Sequence, residues 1–328
     1  MQPPSVSIII VNWNHDQYLK RCLDSLLAQE YNHFDINIVD NGSQDGSPRR
    51  IANDYPDVNF WAFPNNRGFS RAFNWGVNHT NSDFVLSLNP DVFVRQEFLQ
   101  EMVNPMCQGD SVGIVSPKLL RVDEPTILDS TGLFINRYRR PYDRGQGEID
   151  RGQYDTSLQI FGACGAAALY RRSMLVDIAL EDEYFDEDFF SYYEDADLAW
   201  RAQLRGWNGR YAPRAVATHV RGWGDTLRKR KGPKKENYGP RLALRNRYLM
   251  TVKNDTLRYF LLDFPLILIA ELPRMFYMAI FAPDVLMGLK DFVLGFKPAL
   301  NKRILIRKRR IINDTTLRSW FKPQRIQS

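Results

Sequence analysis

A chain of 328 residues, 44% hydrophobic and 25% charged, is long enough to bury a substantial core and has the composition of a globular protein. Its net charge of +6 hides an asymmetry: residues 1–225 carry 21 Lys/Arg against 31 Asp/Glu, whereas residues 226–328 carry 23 against 7. A basic tail on an acidic body points to contact with a polyanionic surface, membrane or nucleic acid. The three cysteines, Cys22, Cys107 and Cys164, show neither metal-ligand spacing nor an even-numbered disulfide framework, and so fit a reducing compartment.

The opening MQPPSVSIIIVNWN has a brief apolar run and no basic segment before it, which reads as a first strand, Val6–Val11, and not as a signal peptide. Apolar residues at Leu19, Cys22, Leu23, Leu26 and Leu27 predict a helix over Gln17–Gln29. A second strand, Phe34–Val39, runs into the turn-rich Asp40–Ser47. Helix Arg49–Tyr55, strand Val58–Ala62, helix Ser70–Asn78 and strand Phe84–Leu88 follow. This alternation predicts an α/β fold with a largely parallel sheet and right-handed crossovers. Beyond it come helix Gln96–Met106, strand Val112–Ser116, an arginine-rich loop over Tyr138–Thr156, the apolar stretch Ile160–Tyr170, a helix from Ser173, and an aromatic and acidic segment, Phe185–Arg201.

The composition shifts near Leu227. Arg228–Lys235 is a basic loop, and Leu257–Phe296 is strongly apolar but broken by charges and by Pro265, Pro273 and Pro283. No clean apolar run reaches the ~18 residues of a spanning helix, so short amphipathic helices in a membrane interface are expected, with Lys302–Arg310 adding attraction to anionic lipid. The alternative is a helical subdomain packed on the body. The expected division is a catalytic domain over 1–225 and a membrane-associating region over 226–328.

Several strand exits carry polar groups. The first strand ends at Asn12-Trp13-Asn14, the second at Asp40-Asn41, and the strand at Phe84 at Asn89-Pro90-Asp91. Pro90 stops that strand, and in a parallel sheet all three exits open on the edge where α/β proteins bind ligands. Arg67 and Gly68 precede a helix, where a guanidinium and a close backbone suit a phosphate. Glu194-Asp195-Ala196-Asp197 opens a helix after Phe189, Phe190, Tyr192 and Tyr193; its carboxylates either complement the helix dipole or include a general base with a raised pKa. His219 ends a short apolar strand, and with Asp91 nearby it could hold a divalent ion.

Taken together, VSIIIVNWN (6–14), IVDNGSQDGS (38–47), NNRGFSRAFNWG (65–76), LSLNPD (86–91), FGACGAAALYRR (161–172), YYEDADLAWRA (192–202) and ATHVRGWG (217–224) resemble the family 2 glycosyltransferases of GT-A fold. Within them the chain looks like the bacterial rhamnosyltransferase-type enzymes of cell-wall and O-antigen assembly. The resemblance implies an inverting transfer with Asp195 as catalytic base. It implies nucleotide-sugar contacts from Asn12, Asn14, Asp40, Asn41, Arg67, Gly68, Asn74, Asn89 and Asp91. A Mg²⁺ or Mn²⁺ ion on Asp91 and His219 is implied, as is an acceptor site at Gly162, Ala163, Cys164, Glu194 and Trp200. Asn89 stands where the family usually has the first Asp of Asp-x-Asp, a form associated with dTDP-rhamnose donors. UDP-galactofuranose, UDP-GlcNAc and GDP-mannose are the alternative donors. The implied acceptor is a glycan on a polyprenyl diphosphate, at the cytoplasmic face of the bacterial plasma membrane.

Other classes fit less well. A nucleotidyltransferase should show a Gly- and Lys-rich loop where Asn12-Trp13-Asn14 stands. A dinucleotide oxidoreductase should show G-x-G-x-x-G after the first strand. Nucleic acid is not an expected partner, because the aromatic residues do not lie among the lysines as a stacking surface requires.

Overall fold

The computed structural model describes residues 2–221 and 238–321; the basic stretch Arg228–Lys235 lies outside the described residues. In chain order the elements are β1 (Val6–Asn12), α1 (Asp16–Leu27), β2 (Phe34–Asp40), α2 (Ser47–Asp54), β3 (Asn59–Ala62), α3 (Phe69–Asn78), β4 (Phe84–Leu88), β5 (Val92–Val94) and α4 (Phe98–Cys107). There follow β6 (Val112–Arg121), β7 (Leu128–Ser130), β8 (Leu133–Ile135), β9 (Pro141–Asp143), β10 (Gln159–Ile160), β11 (Ala167–Arg171), α5 (Arg172–Ile178), α6 (Glu194–Leu204) and β12 (Asn208–His219). Four helices complete the described residues: α7 (Tyr238–Asn254), α8 (Leu257–Phe281), α9 (Pro283–Arg309) and α10 (Asp314–Ser319).

The main sheet runs β10-β12-β6-β11-β4-β1-β2-β3. β1 pairs in parallel with β2 and β4, and β2 with β3, which is the predicted parallel half. The other half is mixed. The apolar stretch expected at Ile160–Tyr170 divides at its glycines, and β11 returns antiparallel to both β4 and β6. β12 is parallel to β6 but antiparallel to β5.

Alternation along β1 feeds two cores, since successive side chains point to opposite faces. Ile8 and Ile10 pack with α1 and α4 residues such as Leu23 and Met102, while Ile9 and Val11 pack with Phe73, Trp200 and Phe161. Helices therefore cover both faces, which explains why every residue of β1 is buried.

The C-terminal helices share the second of these cores, to which Leu249, Met250, Ala299, Ile306, Leu317 and Phe321 all contribute. They are also longer than expected: α8 has 25 residues and α9 has 27, where the sequence suggested short segments. By length and composition α8 is sufficient to cross a bilayer. The basic run Lys302–Arg310 is largely committed to the protein. Lys302 meets Glu183, Asp186 and Asp188, Arg303 donates to the Val252 carbonyl, Arg309 to that of Ala179, and Arg310 pairs with Asp314.

Candidate active site

The carboxyl ends of β1 and β2 are tied into one polar knot. The buried Asn12 donates from Nδ2 to Asp40 Oδ1 at 2.8 Å and to Ser47 Oγ at 2.7 Å, and Asp40 Oδ2 accepts from the Ser43 amide at 2.9 Å. Asn14, at φ 57°, accepts from the Gln44 amide at 2.7 Å, closing the loop above. Asn41 accepts from the Arg67 amide at 2.8 Å and donates to the Gly68 carbonyl at 3.1 Å. The Arg67 side chain is left exposed, 5.0 Å over the Phe63 ring. Asp40 and Asn41 thus shape the strand exit, and Arg67 is the projecting cation beside it.

Asp91 follows β4 and meets a residue far away in sequence. The antiparallel pairing of β5 with β12 sets His219 opposite Val92, and the His219 Nε2 lies 3.6 Å from Asp91 Oδ1. That oxygen is buried, with no hydrogen-bond partner among the described residues. His219 Nδ1 lies 2.8 Å from Asp129 Oδ2, and Asp129 also pairs with Arg221, which reaches Asp143 at 3.2 Å. Burial pulls the imidazole pKa down, but Asp129 and Asp91 outweigh it and hold it above the usual value. Burial raises the Asp91 carboxyl, with His219 opposing. An orphaned carboxylate oxygen facing an imidazole nitrogen, with the other ring nitrogen fixed by a carboxylate, is a donor set that fits a divalent cation.

The turn at residues 162–166 links this pair to the acidic helix start. The Asn89 amide donates to the Ala166 carbonyl at 2.9 Å, and the Gly165 amide donates to Asp195 Oδ2 at 2.9 Å. Asp195 Oδ1 accepts from the Ala196 amide at 2.7 Å. Burial, opposed by those two N–H groups, pushes the Asp195 carboxyl up to about 6. Burial and the neighbouring Asp195 push Glu194 to about 8, and its Oε2 has no partner. Adjacent carboxyls with separated pKa values leave Asp195 ionised and Glu194 neutral at pH 7. Asp197, fully buried, is consumed by Arg201, Lys253 and Asn254. Of the three carboxyls, only Asp195 is both part-exposed and ionised.

The segment before Asp195 is strained. Phe190, Tyr192 and Tyr193 all have φ between 64° and 72°, a region that non-glycine residues seldom occupy. Asn246 of α7 holds it, donating to the carbonyls of Phe189, Ser191 and Tyr192 at 2.8–2.9 Å. Gly68 packs beneath: a Cβ there would lie 2.7 Å from the Phe190 carbonyl oxygen.

Four expected site residues are turned to other uses. Trp200 is 0% exposed, edge-on to Phe161 and Phe321, and cannot touch an acceptor. Its place on α6 turns it inward from Asp195. Asn74 spends its amide on both backbone groups of Phe185, at 2.8 and 2.9 Å, and so joins α3 to the acidic segment and not to a nucleotide. Gly162 pairs with Leu133 through both backbone groups and lies against Ala199, while Ala163 is buried; Cys164 is part-exposed beside them. No local spacing marks Asp129, Asp143 or Asn246, and Arg221 stands in ATHVRGWG without a role that the motif itself assigns.

Comparison with known proteins gives a consistent result. The family profile described as glycosyl transferase family 2 matches residues 7–178, just over half of the chain. A poly-β-1,6-N-acetyl-D-glucosamine synthase of Staphylococcus aureus is 24% identical over 213 residues, 64% of this chain and 48% of its own length. The chain thus spans about half the length of the curated relatives it matches. Among solved structures, residues 1–349 of S. aureus TarS with UDP-GlcNAc align with TM-score 0.58 at 16% identity, covering 97% of this chain and 89% of that one. The Pyrobaculum calidifontis mannosyltransferase PcManGT with GDP-Man and Mn²⁺ aligns with TM-score 0.54 at 17% identity, covering 94% and 86%. These likenesses show a fold of GT-A type.

Proposed function

The chain belongs to glycosyl transferase family 2, and from that premise we propose that it is an inverting enzyme that moves a sugar from a nucleotide-diphosphate donor to a hydroxyl of a glycan acceptor. The observation that carries this reading is the turn at residues 162–166, which binds the part-exposed Asp195 carboxylate through the Gly165 amide and Asn89, two residues before Asp91, through the Ala166 carbonyl. Asp195 takes the proton of the acceptor hydroxyl as its oxygen attacks the anomeric carbon, opposite the leaving diphosphate. A carboxyl at about 6 is ionised at neutral pH and basic enough to share that proton in the transition state. Asp40 and Asn41 frame the nucleotide, Asn12, Asn14 and Gly68 support its loops, and Arg67 faces its phosphates. Asp91 and His219 would hold a divalent ion, Mg²⁺ or Mn²⁺, whose chemistry when bound would be charge neutralisation at the diphosphate. Glu194 and the part-exposed Cys164 border the acceptor side. Catalysis resides in residues 1–225, with the later helices bracing them.

For the donor, Asn89 in place of a carboxylate supports dTDP-rhamnose, and the poly-N-acetylglucosamine synthases among its relatives support UDP-GlcNAc as the second reading. The acceptor we assign is a polyprenyl-diphosphate-linked glycan. Thermal shift and transfer assays over dTDP-rhamnose, UDP-GlcNAc, UDP-galactofuranose and GDP-mannose, each with and without Mn²⁺, are expected to single out the rhamnose donor. Stabilisation by UDP-GlcNAc alone would transfer the assignment, and no response to any nucleotide sugar would remove it.

The metal role has its own test. Asp91→Ala is expected to weaken donor binding in Mn²⁺ at least about tenfold, the scale on which disturbed metal shells act. In EDTA the wild-type and variant affinities should converge. Equal donor affinity in saturating Mn²⁺ would remove Asp91 from the metal site.

A further inference from the structure

Helix α8 is built the wrong way round for water. Of its 25 residues only Tyr259, Asp263 and Glu271 are buried. Asp263 is 0% exposed and pairs with Arg137 and Arg139; Glu271 pairs with Arg140 and Arg247. The outward face carries Leu261, Leu262, Ile269, Leu272, Phe276 and Phe281, with Ile269 and Phe276 each 69% exposed. Monomeric soluble proteins seldom leave so continuous an apolar strip uncovered. A helix pinned sideways by two buried acids cannot stand across a bilayer without stranding four arginines, so its apolar face is suited to lying in the membrane plane.

The charges around this strip point to the sign of its partner. In the C-terminal segment the carboxylates of Asp255, Asp263, Glu271, Asp291 and Asp314 are ion-paired within the protein, and among the described residues only the exposed Asp284, at the start of α9, is not. Beside α8, a cavity of about 370 Å³ opens between α7, α8 and α9. Val252, Leu257, Phe260, Phe296 and Leu300 line it together with Asp255, whose carboxylate is paired with Arg139, and Arg303 and Arg307 stand on its α9 wall, one helical turn apart. Arg303 is half-buried and Arg307 exposed, and among the described residues neither meets a carboxylate within salt-bridge distance. An apolar hollow with a pair of guanidiniums at one side matches an amphiphile bearing a phosphate.

We propose that α8 docks in the plane of an anionic phospholipid bilayer, with a lipid phosphate held by Arg303 and Arg307 and part of its acyl chain in the cavity between α7, α8 and α9. This is independent of the donor and acceptor assignments, because the surface is read by binding alone. It narrows the basic run to the two arginines that line the cavity: Lys302, Arg309 and Arg310 meet other parts of the protein, Lys308 is not in the lining, and Arg303 donates to the Val252 carbonyl from one nitrogen only.

The test is co-sedimentation of the full chain with vesicles of phosphatidylcholine alone or mixed with phosphatidylglycerol. Wild-type protein is expected to prefer the mixed vesicles. Arg307→Gln, at a side chain with no hydrogen bond among the described residues, should weaken that binding about fivefold, and Arg303→Gln with Arg307→Gln roughly twenty-fivefold. Binding to phosphatidylcholine alone, whose phosphate is balanced by its own choline, should fall far less with either. Ile269→Ser with Phe276→Ser should weaken binding to both vesicles while circular dichroism is preserved. Undiminished binding of Arg307→Gln to the mixed vesicles would overturn the phosphate site. A dimer in light scattering without lipid, dissolved by Ile269→Ser with Phe276→Ser, would instead show that α8 is covered by a second copy of the chain.

Discussion

Replacing Asp195 with Asn should lower the rate of sugar transfer by about 10²–10⁴-fold while leaving nucleotide-sugar binding intact. The substitution removes the proton acceptor with almost no change in volume. Asp195 accepts two backbone N–H bonds, from Gly165 and Ala196, and an amide can satisfy only one of them through its oxygen. Some loss of positioning therefore adds to the loss of basicity. Neither bond touches the Asp40, Asn41 and Arg67 cluster, so thermal stabilisation by donor should match the wild type. Loss of donor binding in Asp195→Asn would remove the residue from the base role. The pH profile gives a second readout. The active form is the carboxylate and its pKa is pushed up to about 6, so kcat/KM should fall as pH drops through about 6, tenfold per unit below it. In Asp195→Asn that acid limb should vanish from the residual rate.

The second large effect is expected far from the reacting atoms. Lys253, 1% exposed, pairs with both Asp186 and Asp197, and Lys302 joins Asp186 from α9. Lys253→Met should destabilise the fold by roughly 3–5 kcal/mol, because breaking a buried charge cluster from one side leaves carboxylates without compensation. Although burial raises the carboxyl pKa of Asp186, Lys253 and Lys302 together hold it far below the usual range. Stability drawn from Asp186 is therefore present at neutral pH and lost as pH falls into the acid range below the unfolded carboxyl pKa. Urea unfolding should show the lowered midpoint, with the gap to wild type narrowing at acid pH. An unchanged midpoint at pH 7 would show that the C-terminal helices do not brace the acidic segment.

Much of the site was legible in one dimension. Strand exits at Asn12, Asp40 and Asn89-Pro90-Asp91 follow from β-branched runs ended by turn residues, a local signal. The helix start at Glu194-Asp195 follows from acidic residues ahead of an apolar period. What failed was orientation and long-range pairing. Trp200 and Asn74 lie in the motifs, but the helix turn they occupy points them inward, to Phe161 and to the Phe185 backbone. The C-terminal acids were read as interruptions of an apolar stretch. In the fold they are the attachment points, because Asp263 and Glu271 share one face of α8 and meet arginines over a hundred residues earlier.

The order of strands and helices through β4, the residues at the strand ends and the resemblance to a sugar-transferring family were determined by the sequence itself, since each rests on neighbours within a few turns of chain; β9 inside the expected loop over Tyr138–Thr156 was not. Tertiary structure alone decided that His219 lies 3.6 Å from Asp91, because only the antiparallel pairing of β5 with β12 sets them side by side. It also decided which of three carboxyls stays ionised and reachable. That choice depends on burial, on two backbone N–H groups at Asp195 and on the cations that claim Asp197, and none of these is encoded in local spacing.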